Sequence, residues 1–202
     1  MRVGGFGGAD GLSKFLEIEK IDGVIDATHP FASQMSQNAF EACSNTDTEL
    51  LQLLRPAWPE KPGWTVVPDF QAAADALCKG AHVFLATGRA SLDHFSDRDD
   101  VKFTARVIDH TDDAFPLPDG QFLVSRPPFS VQDEMATLKR LGVSSLVVRN
   151  SGGTGGIEKV IAAEQLGLEI IMIARPSMPK ARRVETVQEA LDTMEAFGWL
   201  AG

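Results

Sequence analysis

The chain is poor in the features that mark whole classes of protein. Cys43 and Cys78 are its two cysteines, too few for a disulfide framework and without the spacing of a metal site. Both read as reduced core or near-surface residues, which fits a cytoplasmic protein. No apolar run approaches the about eighteen residues of a membrane span; Ile170–Ala174 is typical of the longest. The start, Met1-Arg2-Val3-Gly4-Gly5, lacks the apolar core and cleavage pattern of a signal peptide. Basic residues are outnumbered, 19 against 28 acidic, for a net charge of −9. That deficit argues against nucleic acid or an anionic membrane as partner. It leaves room for a small anionic ligand held by a few focused arginines. No internal repeat, low-complexity tract, metal cluster or nucleophile–histidine–acid arrangement stands out.

What is present is an ordinary globular composition, 44% hydrophobic and 23% charged over 202 residues, enough for one large domain or two small ones. The chain is organised around Ser145–Lys159. There a β-branched run, Leu146-Val147-Val148, ends in a polar turn with four glycines and passes into a helical pattern over Ile157–Leu166. Strand, glycine turn and helix form a layout in which peptide N–H groups and a positive helix end hold an anion. Neither G-x-G-x-x-G nor a Walker lysine is there, and a tight βα turn without ligand is the plainer reading.

Apolar spacing predicts helices over Gly11–Ile21, Phe31–Ser44, Phe70–Cys78 (capped by Asp69), Val131–Leu141 (capped by Ser130) and Val187–Phe197. Short apolar runs predict strands at Gly23–Ala27, Leu50–Leu54, Thr65–Val67, Val83–Ala86, Lys102–Ile108, Gln121–Ser125 and Glu169–Ala174. Val3–Gly8 is glycine-rich, Pro56–Pro62 is a Pro-rich connection, and Asp93–Asp100 reads as loop. Alternating strands and helices point to an α/β fold with mainly parallel sheets. The expected division is two lobes, 1–80 and 81–202, with a soft boundary near 79–82; one continuous sheet is the alternative.

Of the eleven arginines, Arg55, Arg89, Arg126, Arg149 and Arg175 each fall at or just past the end of a predicted strand. That edge is where open α/β sheets bind ligands. Guanidinium groups gathered there repel one another unless anions compensate, and arginine suits bidentate capture of carboxylate and phosphate. The plain alternative is that single arginines cap helices or pair with acids such as Asp26 and Glu158. A second cluster, Asp26-Ala27-Thr28-His29-Pro30-Phe31, also closes a strand. Its histidine either orients a ligand or donates a proton near neutral pH, or is simply structural.

Several blocks, in order, carry a resemblance: Gly4–Gly8, Asp26–Ala32, Leu54-Arg55-Pro56, Thr87-Gly88-Arg89, Arg126-Pro127-Pro128-Phe129, Arg149–Gly153 and Ala174-Arg175-Pro176. Together they resemble the precorrin-6A reductase family of corrin-ring biosynthesis, across nearly the whole chain. The resemblance implies two Rossmann-like lobes with ligands in the cleft between them. It also implies NADPH-dependent reduction of a double bond in precorrin-6A or its cobalt form. The family pattern opens with a strand, a Gly-Gly-Thr turn and a helix ahead of the segment matching Val3–Gly8, so the first lobe is expected to be incomplete. A non-catalytic tetrapyrrole- or nucleotide-binding remnant is the alternative. The family often has lysine where Arg149 stands. The roles assigned from this are cofactor phosphate for Ser151, Gly152, Gly153 and Thr154 with Thr87, Gly88 and Arg89. Thr28, Phe31, Arg55 and Arg126 are assigned to the tetrapyrrole, with His29 as proton donor. The cofactor and substrate labels interchange between lobes.

Overall fold

A computed structural model describes residues 4–200. Met1, Arg2 and Val3, the last of them the start of the predicted glycine-rich segment, lie outside the described residues. In chain order the elements are α1 (Gly8–Glu19), β1 (Gly23–Asp26), α2 (Ser33–Thr46), β2 (Glu49–Leu53), β3 (Trp64–Val67) and α3 (Phe70–Asp75). They continue with β4 (His82–Ala86), a 3-10 helix (Arg89–Phe95), β5 (Lys102–Val107), β6 (Gly120–Val124), α4 (Val131–Leu141) and β7 (Ser145–Arg149). The last are α5 (Glu158–Gln165), β8 (Glu169–Ile173), β9 (Arg182–Val184) and α6 (Val187–Ala196). The α/β class with parallel sheets is as the alternation of patterns predicts.

The chain forms two compact units, Met1–Pro56 with Pro176–Gly202, and Ala57–Arg175. The first carries a parallel sheet in the order β1-β2-β9. Helices α1 and α2 pack through Leu12, Leu16, Ala39, Ala42 and Cys43, all buried. Burial also pushes the Cys43 thiol up to about 11. The second carries a six-stranded parallel sheet, β3-β8-β7-β4-β5-β6. Its central strands are continuous apolar runs because both faces are covered: Val83, Phe84, Leu146, Val147, Ile171 and Met172 are each 0% exposed.

The expected boundary near residue 80 is displaced. β3 pairs with β8, Trp64 opposite Ile170 and Val67 opposite Ile173, so residues 57–80 join the second unit. The crossing falls instead at the Pro-rich connection and again between Arg175 and Pro176. Nothing in composition separates β3 from what precedes it; its partner lies far ahead in the chain. Strand β9 has no signature in the sequence because Arg182-Arg183-Val184 contains no apolar run. Pairing with Leu51, Gln52 and Leu53 makes it a strand.

Local chemistry sets the helix ends. Ser130 Oγ accepts from the Asp133 N–H (3.1 Å) and Asp133 accepts in return from the Ser130 N–H (3.0 Å), a complete capping box. Asp69 caps α3 through the Ala72 N–H at 2.8 Å. That helix stops at Asp75 rather than Cys78 because the Arg98 guanidinium, held by Asp100 at 2.8 Å, takes the carbonyls of Ala74 and Leu77. The expected loop after Asp93 begins inside a 3-10 helix. Ser91 Oγ donates to Gly88 O (2.8 Å) at its start, and Leu92 and Phe95 are driven into the core.

Candidate functional site

In the second unit the chain runs β4, β5, β6 to one side. It then returns to β7 on the other side of β4 and continues to β8. Strand order therefore reverses between β4 and β7. The crevice beyond the carboxyl ends of two such strands is where open parallel sheets bind ligands. Thr87-Gly88-Arg89 leaves β4 at that crevice and Asn150–Gly156 leaves β7.

The glycine turn is held in shape from outside. Gly152 (φ 66°), Gly153 (φ 67°) and Gly156 (φ 84°) have positive φ. This is the left-handed region that favours glycine. The Asn150 side chain clamps the peptide of Trp58, accepting its N–H and donating to its carbonyl, both at 2.9 Å. Trp58 Nε1 in turn donates to Gly153 O at 2.7 Å. Arg175 donates to Asn150 O and Ser151 O, each at 3.0 Å. One of the five strand-end arginines is thus a brace for the turn. The carbonyls of Asn150, Ser151 and Gly153 are turned toward Arg175 and Trp58. The N–H groups of Asn150 and Ser151 are taken by Ile173 O and Arg149 O, so an anion at this turn would be met by the peptides from Gly152 onward. These residues fit a phosphate-bearing cofactor.

Across the crevice, Gly88 has φ +86°, and a Cβ there would lie 4.0 Å from Arg149 Nη2. Arg149 is the last residue of β7, and burial pulls its guanidinium below the ordinary value. Thr87 is 3% exposed and its hydroxyl meets Ser91 Oγ at 2.7 Å, so its side chain shapes the turn from beneath. Arg89 lies 5.1 Å from the Phe122 ring and 3.5 Å from Asp113, and Arg126 donates to Asp109 at 2.5 Å. Such exposed pairs contribute little and exchange readily for a phosphate or carboxylate. Beside the turn lies a cavity of about 460 Å³. Its wall holds the Arg106–Glu134 ion pair and Lys159, none of which carries a motif in the sequence.

In the first unit the structure brings Thr28 and Arg55 to one cavity of about 200 Å³, with Glu185 on its wall. Asp26 Oδ1 accepts from the Thr28 N–H (3.1 Å) and hydroxyl (2.6 Å), folding the chain into a tight turn after β1. His29 and Phe31 occupy the same turn. His29 Nδ1 accepts the Phe31 N–H at 3.2 Å, and the two rings lie 5.9 Å apart. Arg126 belongs to the second unit, whereas Thr28 and Arg55 belong to the first. Among the described residues no cluster of His, Cys, Asp or Glu is suited to a metal. No helix among them is long and apolar enough to cross a membrane.

A family model described as "Precorrin-6x reductase CbiJ/CobK" matches residues 1–195. A precorrin-6A reductase from Rhodobacter capsulatus is 42% identical over 203 residues, covering 99% of this chain and 78% of that protein. A cobalt-precorrin-6A reductase from Priestia megaterium is 28% identical over 195 residues, covering 91% of this chain and 76% of that protein. A solved structure of CobK precorrin-6A reductase superposes with a TM-score of 0.94 at 40% identity, over 98% of this chain and 82% of that one.

Proposed function

The chain belongs to the precorrin-6x reductase family, and from that premise we propose that it reduces a double bond of precorrin-6A, or of its cobalt form, with NADPH. The observation that carries the reading is the braced glycine turn at the strand-order reversal, in a chain matched along 99% of its length by a precorrin-6A reductase. NADPH supplies the hydride, and a proton added to the neighbouring carbon completes the dihydro product. The protein's part is to bind, orient and deliver that proton.

We assign the cofactor phosphates to Ser151, Gly152, Gly153 and Thr154, with Gly88 and Arg89 across the crevice and Thr87 shaping it. The tetrapyrrole bears many carboxylates, and Thr28, Phe31, Arg55 and Arg126 are assigned to it. His29 is the assigned proton donor, and the geometry sets a condition. Its Nδ1 accepts the Phe31 N–H, so that nitrogen carries no proton in this arrangement. Acting as an acid, the ring must take a second proton at Nδ1 and turn away from that N–H. A compartment without membrane anchoring, the cytoplasm, suits both ligands.

The test separates the two ligands. Arg55→Ala is expected to weaken tetrapyrrole binding roughly tenfold, the loss of one charge-assisted contact, while NADP+ affinity measured by calorimetry stays unchanged. Equal loss for both ligands, or for neither, contradicts the assignment.

A further inference from the structure

The cavity of about 460 Å³ in the second unit is larger than a lone inorganic ion needs. It lies within the range of pockets that take part of an organic ligand. Most of its wall is apolar, with Ala86, Val107 and Phe129 among the lining residues. Arg106, Glu134 and Lys159 stand in that wall, and the first two pair with each other. Arg106 donates to both Glu134 oxygens, at 2.6 and 2.8 Å.

Lys159 is left with less. Its ammonium donates to Gly156 O at 2.8 Å, and an ammonium has three N–H donors. Burial disfavours its charge, Glu134 and Glu158 partly restore it, and Arg106 opposes it. Gly156 makes room for it, since a Cβ there would lie 2.9 Å from Nζ. A second polar group points the same way. Ser125, just past β6, lines the cavity, and its Oγ is buried with no hydrogen-bond partner. A largely buried ammonium and a buried hydroxyl, both with donors to spare and apolar surroundings, are costly unless something accepts from them.

We propose that this cavity is an oxyanion subsite in which Lys159 and Ser125 grip a phosphate or carboxylate arm of a ligand bound along the adjoining strand-end rim. The proposal rests on the reading of that rim as a ligand site. Phosphate of the dinucleotide and carboxylate of the tetrapyrrole share the recognised chemistry, oxygens that carry a full negative charge.

Calorimetric titration of the full chain with NADP+, with NAD+ and with precorrin-6A tests it, comparing wild type with Lys159→Met and Ser125→Ala. Lys159→Met keeps length and apolar bulk, and is expected to weaken one ligand roughly ten- to hundredfold. Ser125→Ala removes one atom, so folding is retained, and is expected to weaken the same ligand roughly three- to tenfold. A loss for NADP+ and not NAD+ identifies the 2′-phosphate. Equal loss for both nucleotides identifies the pyrophosphate, and a loss for precorrin-6A alone identifies a ring carboxylate. Wild-type binding with all affinities unchanged in both variants overturns the subsite while leaving the rim intact. A wild-type chain that binds none of the three overturns both.

Discussion

Glu134→Ala is expected to destabilise the second unit by roughly 3–5 kcal/mol, the usual cost of breaking one side of a buried ion pair. The Glu134 side chain is 2% exposed and that of Arg106 10%, so neither partner has water to fall back on. The guanidinium is also flanked by aromatic rings, 4.9 Å from that of Phe84 and 4.4 Å from that of Phe129. Its Nε is already buried without a hydrogen-bond partner. Removing the carboxylate strands a buried charge beside Lys159, whose own ammonium leans on Glu134. Replacing both partners with apolar residues, Arg106→Met with Glu134→Leu, is expected to recover most of the loss, because the desolvation of two charges disappears together. Urea unfolding measures both effects. A loss under about 1 kcal/mol for Glu134→Ala is what an exposed pair gives, and would contradict the burial described.

The largest functional effect is expected from Gly153→Val. Gly153 has φ 67°. A β-branched residue held there is a strained outlier that costs about 1–3 kcal/mol. The turn then shifts away from Trp58 Nε1, which holds Gly153 O at 2.7 Å. The new side chain also crowds the peptides proposed to meet a phosphate. NADP+ affinity is expected to fall by roughly a hundredfold or more, from lost charge-assisted contacts and added strain together. The cavity lined by Thr28 and Arg55 belongs to the other unit and keeps its geometry. Unchanged NADP+ affinity in this variant would remove the glycine turn from the cofactor site.

Sequence makes the regular elements legible where physics acts locally. Strand β4 and its neighbours read as strands because burial on both faces leaves uninterrupted apolar runs. Helix α4 opens at Ser130, whose side chain the structure uses as the cap. Pairing between distant segments is not legible. Strand β9 is two arginines and a valine, and β3 looks as if it belongs with what precedes it. Only the sheet order shows that each joins the strand it does.

The site is legible in part for the same reason. Glycines and strand-end arginines announce a rim, but not which arginine faces a ligand. Arg175 braces the turn and Thr87 supports it from beneath, roles fixed by Asn150 O, Ser151 O and Ser91 rather than by motif. Trp58, Arg106 and Glu134 give no local signal, and Asn150, though inside a family block, gives none of its clamp on Trp58. A tryptophan in a Pro-rich connection and an arginine within a strand acquire meaning only when the fold sets them against residues far along the chain. Lys159 carries a faint clue, a lysine shortly after the last glycine of the turn.

Turnover tests whether NADPH held on the rim of the second unit passes hydride to a corrin precursor. The direct measurement is incubation of the purified chain with precorrin-6A and NADPH, following nicotinamide absorbance and product mass together. One NADPH is expected to be oxidised for each tetrapyrrole that gains two hydrogens. NADPH absorbance and tetrapyrrole mass that both stay constant, with both ligands at saturating concentration, would contradict it.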